Sequence, residues 1–328
     1  MNEKKSLGLL GRIGLALAAT LHASSLLAQA FPAAKPITYI YPYAAGSSPD
    51  SVARAIGQEA SKRIGQTILH ENRPGAGGRI GFEALMRAPA DGYTVGMFTN
   101  GLGVYQPLIE SKLYVEPGKD YTPVVWTIDS PQVLAIRPNA PFRDIKGLIA
   151  YAKANPGKLN GSSPGLGTGG HLGVVLMALA VGADITHVPY KGTAPAITAV
   201  MSGEVDMTLT DSGAKPLIDA GKLLGIGHGA EQRWSYFPDM PTFGEAGLIG
   251  VRMVTWLGIV APPNMPRDVL LRLNRAYNEA INSPEVRAKI EGLGQLVKGG
   301  TPEEFAAVIR GDLKTFGPVI RSANIKLE

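Results

Sequence analysis

The chain has no cysteine in its 328 residues. Structural disulfides, thiolate nucleophiles and cysteine-ligated zinc are therefore excluded. An exported protein without cysteine also has nothing to mispair in an oxidising compartment. Past residue 30, no segment approaches the roughly eighteen consecutive apolar residues that suggest a membrane-spanning helix. Dense runs of Lys or Arg are missing as well. The formal charge of +5 is too scattered to indicate nucleic acid, although a mild positive balance attracts anions at a distance. His70, His171, His187 and His228 have no histidine partner at i+4 and no acid at ligand spacing, so no metal centre is expected. No phosphate-binding Walker loop occurs, and no cofactor is expected.

What is present begins with an address. Lys4, Lys5 and Arg12 form a basic start, residues 13–27 an apolar run, and Ala28-Gln29-Ala30 a small-x-small end. That order predicts a secretory signal peptide cleaved after Ala30. The run is about fifteen residues, short of the roughly twenty that span a bilayer. The chain beyond Ala30 is too long for one compact core, so two lobes are expected.

The remainder alternates strand and helix patterns. Strands are expected over 37–41, 67–70 and 93–98, with helices over 49–64 and 80–87 between them. Strand-like runs 124–128 and 132–136 flank Asp129-Ser130-Pro131. A second series has helices over 144–154, 170–181 and 195–201 among strands 159–162, 185–188, 205–209 and 223–226. A long apolar strand, 253–260, precedes three closing helices. This order predicts an α/β fold, each lobe a mostly parallel sheet flanked by helices. Ser48 is expected to cap the first helix, with Pro49 at its first position. Ser283 is expected to cap the next-to-last helix. Thr301 and Glu304 form a capping box at the start of the last one.

Two motifs look catalytic and overlap. Gly161-Ser162-Ser163-Pro164-Gly165 fits a nucleophile elbow, which would make a secreted hydrolase using Ser163 and His171. The elbow takes an oxyanion donor from the backbone N–H after the nucleophile, and Pro164 has none. Gly165-Leu166-Gly167-Thr168-Gly169-Gly170 fits a dinucleotide fingerprint, but the following strand runs into Val188-Pro189-Tyr190-Lys191 and offers no acid for ribose. What the two motifs share is a glycine-rich turn at a helix start, beside Ser162, Ser163 and Thr168. Unpaired N–H groups and the helix dipole favour an anion there. The turn from Pro42 to Asp50 has the same character, with Ser47 and Ser48 at a helix start. Asp50 either complements the dipole or orients a bridging water. His171 either donates to a ligand or caps a carbonyl. Arg73 either faces a carboxylate or, as is commoner, pairs on the surface. Tyr190 and Asp211 follow strands of the second series, where α/β sheets place ligands.

Several ordered motifs give the sequence a family look: Glu71-Asn-Arg-Pro-Gly-Ala-Gly-Gly, Asp91-Gly-Tyr-Thr, Pro156-Gly-Lys-Leu, Gly167-Thr with His171-Leu172, His187-Val-Pro-Tyr-Lys-Gly, Pro238-Asp-Met-Pro-Thr and Gly300-Thr-Pro-Glu-Glu-Phe. From about Lys35 to the C-terminus, it resembles the periplasmic receptors of tripartite tricarboxylate transporters, the Bug-type receptors. The resemblance implies a two-lobed periplasmic binding protein, type II-like, with the ligand cleft between lobes. Lobe I would be 31–128 with 257–328, and lobe II 129–256, hinged near 129–132 and 253–256. It also implies a monomeric, non-enzymatic protein that hands a small organic carboxylate to membrane transporter subunits, or presents the liganded state to a sensor. Carried over, it assigns Tyr43, Ala45, Gly46, Ser47, Ser48 and Asp50 to one wall. Ser163, Gly167, Thr168 and His171 fall to the other, with Tyr190 and Asp211 nearer the cleft wall.

One departure stands out. The family's first turn usually runs Pro-Phe-Pro-Pro-Gly-Gly-Gly-Thr-Asp. Here Ala44 and Ala45 replace two prolines, Ser47 and Ser48 two glycines, and Pro49 the threonine. The added hydroxyls favour direct bonding to a carboxylate, and Tyr41, Tyr43 and Tyr190 offer aromatic faces. The expected ligand is an aromatic dicarboxylate such as terephthalate.

Overall fold

A computed structural model describes residues 31–110, 116–248 and 253–322. The expected signal peptide and its cleavage site lie outside the described residues. The first run holds β1 (Ile37–Tyr41), α1 (Ser48–Ile64), β2 (Ile68–Asn72), α2 (Arg79–Met86), β3 (Thr94–Thr99), α3 (Gln106–Ile109) and β4 (Thr122–Pro131). The second holds β5 (Val133–Ile136), α4 (Ile145–Ala154), β6 (Leu159–Ser163), α5 (Gly169–Val181), β7 (Ile185–Pro189), α6 (Thr193–Ser202), β8 (Met207–Thr210), α7 (Lys215–Asp219) and β9 (Leu224–His228). The chain then returns through β10 (Val254–Ala261), α8 (Arg267–Ile281), α9 (Pro284–Gly292), β11 (Leu296–Val297) and α10 (Pro302–Ser322).

These strands make two sheets, each flanked by helices. One has six strands in the order β11-β4-β10-β3-β1-β2, the other five in the order β7-β6-β8-β5-β9. Both are mixed. The strands linked through helices, β1 with β2 and β3, and β6 with β7 and β8, are parallel. The strands bordering the passage between sheets, β4, β5 and β10, pair antiparallel. A parallel neighbour needs a crossover of a dozen or more residues, usually helical. β10 returns from the second sheet without such a helix.

Asp129-Ser130-Pro131, expected only to lie between two strand-like runs, is itself part of a strand. It continues β4, with Asp129, Ser130 and Pro131 opposite Trp256, Thr255 and Val254. Pro131 stands at the last position of the strand, past Ile128 and Asp129, the residues that pair with β11. Gln132 joins the crossings further, receiving Gly229 N–H on its carbonyl at 2.8 Å and donating to Met253 O at 2.9 Å.

The capping of α1 is shifted by one residue. Ser47, not Ser48, is the cap, and its Oγ accepts from Asp50 N at 3.2 Å. Ser48 and Pro49 occupy the first two helical positions. Ser283 precedes α9 as expected, but its hydroxyl donates back to Ala280 O at 2.9 Å and caps nothing. The capping box of α10 forms: Thr301 N donates to Glu304 Oε2 at 2.7 Å, and Glu304 N to Thr301 Oγ1 at 3.1 Å.

Alternation along β1 separates two apolar layers. Ile37, Tyr39 and Tyr41 pack with Val52, Ile56 and Ile64 of α1 and with Leu273, Tyr277 and Ile281 of α8. Ile40 joins the opposite layer, where Phe82, Phe98, Tyr121, Trp256 and Phe305 meet. Phe305 packs against β10 at Gly258, where an added Cβ would sit 2.1 Å from the ring. Phe305→Ala should cost about 3–5 kcal/mol by opening a cavity, and Gly258→Ala about 1–3 kcal/mol by overpacking. Urea unfolding of the double variant should show a loss smaller than the sum, because each change relieves the other.

Candidate functional site

Between the two sheets lies a cleft of about 530 Å³. Three helices begin at it. The turn after β1 brings Tyr43 to Pro49 at the start of α1. The turn after β6 brings Pro164 and Thr168 to Gly170 at the start of α5. The turn after β7 brings Lys191 to Pro195 at the start of α6. All three turns follow the carboxyl ends of parallel strands, where α/β folds place their ligands. These helices have 17, 13 and 10 residues, long enough to present a dipole. First-turn N–H groups have no partner inside their own helix.

Local chemistry holds each turn in place. Asp50 Oδ2 accepts from Gly46 N at 3.0 Å and Arg54 Nε at 3.2 Å. Asp50 is therefore buried as a clamp beneath the first turn and does not line the cleft. Ser47 Oγ pairs with Tyr41 OH at 2.9 Å. Ser48 Oγ accepts from Gln295 Nε2 at 2.9 Å, which leaves its own proton to donate. Tyr43 OH pairs with Thr99 Oγ1 at 3.1 Å. In the second turn, Thr168 Oγ1 donates to Gly165 O at 2.7 Å and accepts from His171 N at 3.3 Å. The cap thus takes the third helical N–H, and those of Gly169 and Gly170 remain at the cavity. Gly167 has a φ of 69° and lies so close to Gln106 that a Cβ would be 2.5 Å from Cγ. Glycine suits both demands.

The resemblance assigned twelve residues, and the cleft sorts them. Tyr43, Ala45, Gly46, Ser47, Ser48, Thr168 and Asp211 line it. Ser163, Gly167 and His171 form a layer behind the second turn. Gly167 N donates to His171 Nδ1 at 3.0 Å, so His171 accepts from the backbone and neither faces the cavity nor caps a carbonyl. Its ring stacks on His187 at 4.1 Å, and His187 Nε2 lies 2.6 Å from Ser163 Oγ. Tyr190 stands outside the lining, its hydroxyl donating to Glu204 at 2.7 Å. Asp211 caps the next turn by accepting Gly213 N at 2.7 Å, and burial raises its pKa. Arg73 pairs with Glu71 at 2.8 Å on the surface.

Other lining residues went unnoticed in the sequence. Thr99, Ser130, Gln132 and Thr255 come from β3 and the two crossings. A signal existed: Thr127, Asp129, Ser130 and Gln132 are buried polar residues gathered in a stretch whose other members are mostly apolar.

Ser163 beside His187 has the look of a nucleophile and base. Yet Ser163 is 0% exposed, and Pro164 cannot supply the oxyanion donor. Among the described residues, no cluster of three metal-ligating side chains occurs, and no helix is long and apolar enough to cross a membrane.

Residues 52–325 match the model of the tripartite tricarboxylate transporter family receptor. The chain belongs to this family. It is similar to the periplasmic binding protein BugD at 28% identity, covering 89% of this chain and 99% of that one, with a TM-score of 0.83. A receptor from R. palustris with adipate is 29% identical over 90% and 99% of the two chains, with a TM-score of 0.84. MatC from Rhodopseudomonas palustris with bound malate is 31% identical over 88% and 100%, with a TM-score of 0.83. The receptor is thus a Bug-type periplasmic solute-binding protein, and the hydrolase reading falls with its elbow. Receptors of this family bind solutes and catalyse nothing.

Burial depresses the pKa of His171 to about 4. Burial and the neighbouring His171 depress that of His187 to about 3. Both lie below the ordinary value near 6.5, so the unfolded chain takes up protons first as pH falls. Stability should hold above about pH 6.5 and decline as pH drops toward 4. Protonated His171 also cannot accept Gly167 N–H, so the second turn loosens. Melting temperature measured from pH 7.5 down to 4.5 should fall, and His171→Gln with His187→Gln should flatten the slope.

Proposed function

We propose that this receptor captures a small organic dicarboxylate and delivers it to the membrane subunits of a tripartite transporter, with an aromatic diacid such as terephthalate preferred. The observation that carries this reading is the convergence of three helix starts on one cleft. Charge-assisted bonds from such N–H groups contribute about 1.5–3 kcal/mol each to holding a carboxylate. The cleft's other walls include Met97, Leu257, Ile197, Met201 and Leu217. Anion donors beside an apolar wall suit an acid with a hydrocarbon body. The relatives that hold adipate and malate support a dicarboxylate. Tyr41 and Tyr43 at the cleft support an aromatic one.

In this reading Ser48, Gly169 and Gly170 donate to the proximal carboxylate, and Thr168 keeps the α5 start in shape. Lobe I is 31–128 with 257–328, and lobe II is 129–256. They close about the paired β4 and β10 crossings. A close approach of the two lobes supports the closed form: a Cβ added at Gly77 would lie 2.3 Å from Leu166 O. Closure follows because only the closed state lets both lobes touch the ligand.

Calorimetry with terephthalate, benzoate, adipate and malate tests the proposal. Terephthalate should bind best, and Thr168→Ala should weaken it about fivefold to tenfold through loss of the cap. Binding to aliphatic acids alone removes the aromatic preference; binding to none removes the carboxylate.

A further inference from the structure

Ser130 and Thr210 border the cleft. Each is almost completely buried, at 1% and 2% exposed. Neither hydroxyl has a hydrogen-bond partner among the described residues, and both oxygens are shut from solvent. Buried hydroxyls are normally satisfied, because an unpaired one forfeits its hydration for nothing. The two sit on different strands. Ser130 is opposite Thr255 where β4 crosses between sheets. Thr210 ends β8, opposite Val133 of β5. Gln132 lines the cleft two residues beyond Ser130, and its Nε2 makes a long 3.5 Å contact to Ser130 O. The crossings therefore bring neutral hydrogen-bonding groups to a cavity whose anion donors lie on the helix starts.

We propose that Ser130 and Thr210 form a second polar subsite, which receives the other oxygen-bearing end of the ligand. The inference rests on the carboxylate reading above and names the residues that would tell a diacid from a monoacid. Both hydroxyls keep a proton free, and a turn about χ1 brings it toward the cavity without moving backbone. A second carboxylate there accepts both bonds. The matching monoacid leaves both hydroxyls unpaired, which is the basis of strong discrimination at buried polar sites.

The test is calorimetry on two matched pairs, adipate with hexanoate and terephthalate with benzoate. The proteins are the unsubstituted chain, Ser130→Ala, Thr210→Val, the double variant and Thr210→Ser. The unsubstituted protein should prefer the diacid of at least one pair. That preference should shrink about tenfold for each hydroxyl removed, and Thr210→Ser should keep it. An unchanged diacid-to-monoacid ratio in the double variant overturns the subsite. So does a parallel loss of both acids in which Thr210→Ser fares as badly as Thr210→Val, since that marks structural damage alone. Failure of the underlying reading looks different: the unsubstituted protein then binds no member of either pair, and both proposals fall.

Discussion

Backbone N–H groups at the start of a helix have no partner within that helix. Around this cleft that constraint acts three times. Side chains answer part of it: Ser47 takes the N–H of Asp50, and Thr168 that of His171. The start of α6 has no side-chain cap. The N–H groups left over point into a space between two sheets, with the positive ends of three dipoles behind them. Much of the surrounding packing keeps these turns rigid. Asp50 clamps the first turn from below, and Gln295 reaches Ser48 from the far end of the sequence. The His171–His187 stack backs the second turn. A site built from backbone donors needs such bracing, because its geometry is that of the chain itself.

The two crossings are the other structural commitment. β4 and β10 run side by side as the chain passes between sheets, so movement of one sheet against the other bends a paired ribbon and not two separate strands. This arrangement also lets the crossings carry lining groups such as Ser130 and Thr255. The cleft, the first sheet and the second sheet then meet where the hinge is proposed, so a solute held in the cleft would touch both bodies.

Much of the architecture was legible in the sequence because it is local. Alternation of strand and helix patterns and the pairing of Thr301 with Glu304 each depend on residues a few positions apart. The errors were also local, and small in sequence terms. Ser47 and Ser48 both suit a cap, and only the observed backbone decides between them. Asp129-Ser130-Pro131 stands between two strand-like runs in the sequence, and long-range pairing with β10 makes it the end of the first. Tertiary pairing overrides propensity wherever enough neighbours supply hydrogen bonds.

The site was half legible, and the division is physical. Composition and motif spacing by themselves determined that glycine and hydroxyl turns stand at helix starts, that thiol chemistry is impossible, and that Pro164 defeats the hydrolase motif. Those conclusions rest on covalent structure and on contacts within one turn. Which side chains face the cavity was decided only by the fold. Ser163, Gly167 and His171 sit in one motif with Thr168, but the fold places them behind it. Tyr190 lies in a family motif and faces Glu204. Ser130 and Thr210 are eighty positions apart in the chain and meet one space only because β5 pairs with β8 and β4 with β10. Direction of a side chain depends on the packing of distant strands, and no local pattern encodes that.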